Sequence, residues 1–150
     1  MTDEPAERET WLVAAWPGMG NVGAGAVAHL IDALGPMLVH ELPAERYFDV
    51  DHVDVQRGIA RSSPLPRSLV FSWRSPEAPR DLLMFLGEAQ PARDGMTMCR
   101  ELMDVAEGRG VTRVLTFAAM ASQLHPSAEP RVFGVVTDPA ILAEVRGAGV

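Results

Sequence analysis

The stretch that decides the fold is Trp11 to Leu34, WLVAAWPGMGNVGAGAVAHLIDAL. It opens with the apolar run Trp11 to Trp16, which predicts a strand that is buried on both faces. Gly18, Gly20 and Gly23 follow with the spacing G-x-G-x-x-G. Apolar side chains then recur at helical spacing as far as Leu34, so the stretch predicts a strand, a tight turn and a helix.

The glycine turn is a candidate binding site. Glycines at this spacing permit positive φ angles, close approach of a ligand, and seating of the helix on the sheet. The helix would direct its free N–H groups and positive dipole end at the turn, so backbone groups could hold a small anion. We therefore take Gly18, Gly20, Asn21 and Gly23 as candidate ligand-binding residues. The alternative is that the glycines only let the chain reverse and the helix dock, because this fingerprint alone is weak.

Composition and charge limit the classes of function. The chain has 150 residues, 20 acidic against 13 basic, and a net charge of -7, which disfavours nucleic acid and anionic membranes as partners. No apolar stretch approaches the roughly 20 residues that span a bilayer, and residues 1–9 are acidic where a signal peptide is basic. We expect a cytoplasmic protein with a disordered acidic tail at 1–9 and a single domain at 10–150.

The remaining elements follow from hydrophobic patterns and turn residues. Predicted strands lie at 37–41, 53–60, 68–73, 81–87, 111–118 and 131–137, and predicted helices at 22–34, 93–110 and 139–146, the last capped by Asp138. Because no helix separates 53–60 from 68–73, these two strands are expected to form an antiparallel hairpin. The fold class is therefore α/β, with a mixed, mostly parallel sheet.

Polar residues follow the central strand at 81–87. Glu88 and Gln90 stand at its carboxyl end, the edge at which open α/β sheets bind ligands. We expect this end to lie beside the glycine turn, so that Glu88 and Gln90 contact a polar ligand. The alternative is that they cap neighbouring loop amides. Glu41, about twenty residues past the turn, occupies the place of a ribose acceptor, but the strands inserted after it argue against a dinucleotide fold.

Other chemically suggestive groups favour structural roles. Along extended chain only alternate residues share a face, so the run 49–54 is expected to be a solvated acidic turn and no metal site. His125 has no nucleophile elbow near it, and no catalytic residue is assigned. The residues expected in structural positions are Cys99 as a reduced core thiol, His40 as a satisfied histidine, and Tyr47, Phe48, Trp73 and Pro76 at an oligomer surface or beside the core.

Three blocks of sequence are together specific enough for a family comparison. They are WPGMGNVG at 16–23, DLLMFLGEAQP at 81–91, and GVTRVLTFAAMASQLHP at 110–126 with EPRVFGVVTD at 129–138. These blocks resemble the PAC2 family, the proteasome assembly chaperone 2 family. The resemblance implies a phosphorylase-like, three-layer α/β/α fold. It also implies a role like that of members thought to assist proteasome assembly by binding proteasome α subunits.

The sequence departs from the family in two respects. Archaeal members can dock through a C-terminal hydrophobic-tyrosine-any tail, whereas this chain ends in Ala148, Gly149 and Val150. Members also usually run beyond this length, so the resemblance predicts the front part of a longer protein. The chain has no lysine that could bind a nucleoside triphosphate, and no cofactor or metal is expected.

Two hypotheses of function lead. The first is a non-catalytic protein-binding or assembly module, chaperone-like and homo-oligomeric, which could keep a small anionic ligand at the glycine turn. The second is a phosphorylase-like or nucleotide-binding enzyme, with phosphate at the turn and Glu88, Gln90 or His125 handling the substrate. A dinucleotide-dependent oxidoreductase using Glu41 is the weakest reading.

Overall fold

The computed structural model describes residues 8–50, 53–125, 127–129 and 131–149. The chain divides into two compact units, one extending to Met120 and the other beginning at Ala121. Most of the predicted tail, residues 1–7, lies outside the described residues. Arg8 is described, and its guanidinium donates a hydrogen bond of 2.7 Å to the Asp81 carboxylate.

The first unit contains the strands and three of the helices. In chain order these elements are β1 (Glu9–Ala15), α1 (Val22–Leu34), β2 (Met37–Glu41), α2 (Ala44–Tyr47), β3 (Val53–Gln56), β4 (Ile59–Ser62), β5 (Ser68–Trp73), β6 (Arg80–Gly87), α3 (Gly95–Glu107) and β7 (Val111–Thr116). The second unit contains the helix α4 (Pro139–Gly147). Its predicted cap is confirmed, since the Asp138 carboxylate accepts a hydrogen bond of 2.7 Å from the Ala140 N–H.

Five strands form one mixed sheet in the order β2-β5-β6-β1-β7. β1 pairs in parallel with both β6 and β7. β5 is antiparallel to β6 and to β2, so it alone runs opposite to the other strands of this sheet. The predicted mixed, mostly parallel sheet is confirmed.

Alternate residues of β1 pack on opposite faces of the sheet. Leu12 and Ala14 belong to a cluster that includes Leu102 of α3. Val13 and Ala15 belong to a second cluster that includes Val27 of α1. Because successive side chains of a strand point to opposite faces, α1 and α3 cover opposite faces of the sheet. The prediction that β1 is buried on both faces is confirmed.

The prediction of one strand over 53–60 is wrong. β3 and β4 form a separate two-stranded hairpin, joined by a turn in which Arg57 and Gly58 both have positive φ, 54° and 78°. Positive φ at both central residues is the geometry of a two-residue hairpin turn. The expected pairing of this segment with 68–73 is also wrong, because β5 pairs with β2 and β6. The alternation of apolar and polar residues continues through Arg57 and Gly58, so the sequence pattern does not reveal the turn.

The predicted strand at 131–137 is not formed. Residues 131–136 have no regular secondary structure, and Val132, Phe133 and Val135 are all exposed. Apolar composition favours a strand, but a strand also requires a neighbouring backbone to complete its hydrogen bonds.

Burial corrects several expected positions. Cys99 is exposed and is no core thiol, because α3 turns Met98, Leu102 and Ala106 towards the sheet. Tyr47 and Phe48 are 0% and 4% exposed and belong to the core, which is the second of the two positions that the sequence left open for them. The prediction that the His40 side chain is fully hydrogen-bonded is wrong for its Nε2 atom. This atom is buried and has no hydrogen-bond partner in the described part of the chain. Trp73 is partly buried, and Pro76 is exposed.

Candidate functional site

The glycine turn lies beside the end of β6, as the sequence predicts. The parallel register pairs Ala15 at the end of β1 with Leu86 near the end of β6. Just beyond both strands, the Gln90 side-chain amide donates a hydrogen bond of 2.8 Å to the Pro17 carbonyl. The two carboxyl ends are therefore tied together at one edge of the sheet.

The turn itself uses two left-handed residues. Gly20 has φ of 63° and Asn21 has φ of 51°, and the Asn21 N–H donates a hydrogen bond of 2.9 Å to the Gly18 carbonyl. A left-handed backbone favours glycine, and asparagine tolerates it better than most residues. Gly18 is extended, with φ of -153°, and open space surrounds it. Its backbone conformation does not require glycine.

Gly23 seats the helix on the sheet. A Cβ atom at Gly23 would lie 3.1 Å from both the Cβ and the carbonyl oxygen of Phe117. It would also lie 3.6 Å from the Cβ of Ala15. Gly23 therefore allows the start of α1 to approach the strands more closely than a larger residue could.

A groove of about 430 Å³ runs between the start of α1 and the end of β6. Its lining residues are Pro17, Asn21, Ala24, Gly25, Ala28, Leu86, Gly87 and Glu88. The structure thus brings two of the predicted ligand-binding residues, Asn21 and Glu88, to one groove. The predicted residues Gly18, Gly20 and Gly23 belong to the glycine turn but do not line the groove. The sequence analysis missed Ala24, Gly25 and Ala28, whose signal was the run of small residues after the glycine turn.

Glu88 is engaged in a loop contact. Its Oε2 accepts a hydrogen bond of 2.8 Å from the Arg67 backbone N–H, and its own N–H donates one of 2.9 Å to the Arg67 carbonyl. This is the capping arrangement that the sequence left open as the alternative. The side chain is exposed, so its negative charge also faces the groove and disfavours an anion there.

Gln90 lines a second, smaller pocket of about 210 Å³. The pocket combines apolar side chains such as Phe48 and Leu65 with Asp49. Asp49 forms an ion pair with Arg93, so this carboxylate is already neutralised. The pocket offers mostly apolar contact.

Glu41 does not occupy the position of a ribose acceptor. β2 lies at the edge of the sheet, separated from β1 by β5 and β6. Both carboxylate oxygens of Glu41 accept hydrogen bonds from the Arg67 guanidinium, at 2.9 and 2.8 Å. Hydrogen bonding from Arg67 lowers the pKa of Glu41. The carboxylate therefore fixes the β2–β5 edge, and the dinucleotide interpretation fails on topology.

The remaining polar groups form local contacts. The His125 ring nitrogen Nδ1 lies 2.7 Å from the Ser127 hydroxyl, and both residues are exposed. Asp54 accepts a hydrogen bond of 2.9 Å from Ser63, while Asp51 and His52 lie outside the described residues. Within the described ranges, no group of three or more His, Cys, Asp or Glu side chains is placed to hold a metal ion. No helix in that same part of the chain is long and apolar enough to cross a membrane.

The fold and the sequence together define the family. The model of the PAC2 family matches residues 12–149, so the chain belongs to the PAC2 family. The match includes the glycine turn, both strands that end beside it, and the groove. Comparison with curated proteins gives no significant match.

Two solved structures are similar to this chain. A PAC2 family protein from Streptomyces avermitilis is 27% identical with a TM-score of 0.74, over 92% of this chain and 61% of that one. The Mycobacterium tuberculosis proteasome-assembly chaperone homologue Rv2125 is 26% identical with a TM-score of 0.56, over 70% of this chain and 47% of that one. This chain therefore spans about 61% of the length of the Streptomyces protein.

Proposed function

We propose that the protein is a non-catalytic assembly module that binds another protein through the groove between α1 and β6. The observation that carries the proposal is its similarity to the mycobacterial proteasome-assembly chaperone homologue, at a TM-score of 0.56. Assembly of this kind needs a recognition surface and no reactive group. The proposal includes self-association and a cytoplasmic location.

The chemistry of the groove supports protein recognition. Ala24, Gly25 and Ala28 are small residues along α1, which lets the backbone of a partner segment approach closely. The polar groups are few, and Glu88 is already hydrogen-bonded to the Arg67 N–H. A shallow, mostly apolar groove with few polar groups suits a segment of polypeptide.

The test is binding to purified proteasome α subunits, the partner class that family membership suggests. Ala28→Arg places a long charged side chain in the groove. Ala33→Arg makes the same change on an exposed face of the same helix, outside the groove residues. Biolayer interferometry should show binding by the unmodified protein, a loss of about tenfold or more with Ala28→Arg, and little change with Ala33→Arg. No binding by the unmodified protein, or equal losses with both variants, contradicts the proposal.

A phosphate- or nucleotide-binding enzyme is the second candidate. It is favoured by one observation: the N-cap of α1, Asn21, makes no side-chain hydrogen bond to the first turn, which leaves backbone donors directed at the glycine turn. The negative charge of Glu88 opposes an anion at this place. Thermal shift measurements with inorganic phosphate and nucleotides distinguish the candidates, because a ligand at about 100 times its Kd stabilises the folded state by about 2.7 kcal/mol. A concentration-dependent rise in Tm shows binding, and turnover of the bound compound would then favour the enzyme; no rise with any of these compounds contradicts it.

A further inference from the structure

The groove between α1 and β6 has one charged side chain in its lining. Glu88 is exposed, and the other residues that line the groove are small, apolar or amide. No arginine or histidine is among the described lining residues, and the whole chain has no lysine. The lining of the groove therefore contributes a negative charge and no cation.

The contacts of Glu88 leave this charge unbalanced. Its Oε2 accepts a hydrogen bond from the Arg67 backbone N–H, which is a neutral donor. The Arg67 guanidinium instead donates to both carboxylate oxygens of Glu41, at 2.9 and 2.8 Å. Hydrogen bonding to Glu41 is the largest cause of the raised pKa of Arg67, and the charge of Glu88 is the smallest. Glu88 takes part in no ion pair within the described ranges, so one net negative charge remains beside the groove.

The rest of the lining suits the backbone of a polypeptide. Asn21 lines the groove, and its side chain makes no hydrogen bond to the first turn of α1. A side-chain amide has both a donor and an acceptor, which are the two groups that a peptide unit pairs with. Ala24 and Ala28 are small, so a partner backbone can approach α1 closely. An extended segment therefore fits the shape and the amide of the groove, and a cation on that segment would balance Glu88.

We propose that the groove binds an extended polypeptide segment that carries an arginine or lysine among small residues, and that the cationic side chain pairs with Glu88. Complementary charge across an interface raises the association rate and suppresses wrong partners. Acidic segments are rejected, because the net charge of -7 and the carboxylate in the groove both repel them. The inference rests on the proposed function, since it specifies the chemistry of the partner that occupies the same groove.

A peptide array tests the preference for a cation. Its heptapeptides carry Arg, Lys, Gln, Leu or Glu at the central position, with small residues randomised around it, and the labelled unmodified protein is applied to them. Peptides with Arg or Lys should bind roughly three- to tenfold more tightly than those with Gln or Leu, and those with Glu should bind least. Raised ionic strength should reduce the preference. Equal binding of all five sets, or no binding of any peptide, overturns the inference.

Glu88→Gln assigns the preference to one side chain. Glutamine keeps an oxygen that can accept the hydrogen bond from the Arg67 N–H, so the variant removes the charge and keeps the loop contact. Its preference for Arg and Lys should disappear. Glu107→Gln, the same change at an exposed residue of α3 outside the groove, should retain it, and far-UV circular dichroism checks that both variants are folded. A preference that persists in Glu88→Gln, or that is lost equally in Glu107→Gln, contradicts the inference.

Binding of purified proteasome α subunits, measured on the same proteins, separates the two proposals. If this binding is lost with Ala28→Arg but has the same association rate and affinity in Glu88→Gln as in the unmodified protein, this inference alone is refuted. If the peptide preference depends on Glu88 but no α subunit binds, the proposed function alone is refuted.

Discussion

Gly23→Ala and Gly25→Ala test how α1 is seated on the sheet. A Cβ at Gly23 would lie 3.1 Å from two atoms of Phe117, whereas a Cβ at Gly25 would meet nothing within 4 Å. Replacing glycine by alanine in a helix stabilises by up to about 1 kcal/mol. Crowding a packed interface costs about 1–3 kcal/mol. Gly25→Ala should therefore raise the free energy of unfolding by about 0.5–1 kcal/mol, and Gly23→Ala should lower it by about 0–2 kcal/mol.

Urea unfolding followed by tryptophan fluorescence measures both changes, since the chain has three tryptophans. With a urea dependence of about 2 kcal/mol per M, the two variants should differ in midpoint by roughly 0.25–1.5 M. Each serves as the control for the other, because the substitution and the helix are the same. Equal midpoints, or a Gly23→Ala variant more stable than Gly25→Ala, would refute the close approach of α1 to Phe117. The groove beside α1 would then lose its structural basis.

Two further predictions concern pH. Burial, and then the hydrogen bond to Glu101, raise the pKa of Tyr47 from 10.0 to about 12. The unfolded chain therefore loses this proton first, and the free energy of unfolding should fall between about pH 10 and 12, by at most roughly 3 kcal/mol. Tyr47→Phe should remove this part of the alkaline loss in urea titrations, and an unchanged profile would contradict it. The hydrogen bond from Arg8 lowers the pKa of Asp81, so its contribution, roughly 0.2–1 kcal/mol for a partly exposed pair, should be present above the unfolded value and disappear as the pH falls through the lowered one. Asp81→Asn should flatten the acid limb of stability against pH in urea titrations, and an acid limb that does not change would contradict this assignment.

Local patterns predicted the elements that meet at the groove. The apolar run from Trp11, the glycine turn and the exit at Gly35 gave β1 and α1 close to their observed bounds. These features depend on neighbouring residues along the chain, such as the left-handed φ of 58° that ends α1 at Gly35. The continuous apolar character of residues 81–87 likewise predicted a central strand.

Pairing between distant segments was harder to predict. Nothing local to 53–60 states that this segment folds back on itself at Arg57 and Gly58, because its alternation continues through the turn. Cys99 fits a helical pattern, but the rotation that buries Met98 instead is set by packing against the sheet. A helical spacing of apolar residues shows only that a helix has an apolar face. Because α3 has more apolar positions than the sheet can cover, the spacing alone does not tell which of them are buried.

The sequence by itself determined the glycine turn after β1, the bounds of α1, and that Glu88 and Gln90 follow a buried strand, because these depend on backbone preferences and short-range patterns. Only the tertiary structure decided that β2 lies at the edge of the sheet, and that Glu88 accepts a hydrogen bond from the Arg67 backbone while Glu41 pairs with the Arg67 guanidinium. The physical reason is that strand order follows from the burial of whole faces and the completion of backbone hydrogen bonds. Both are summed over residues far apart in the chain.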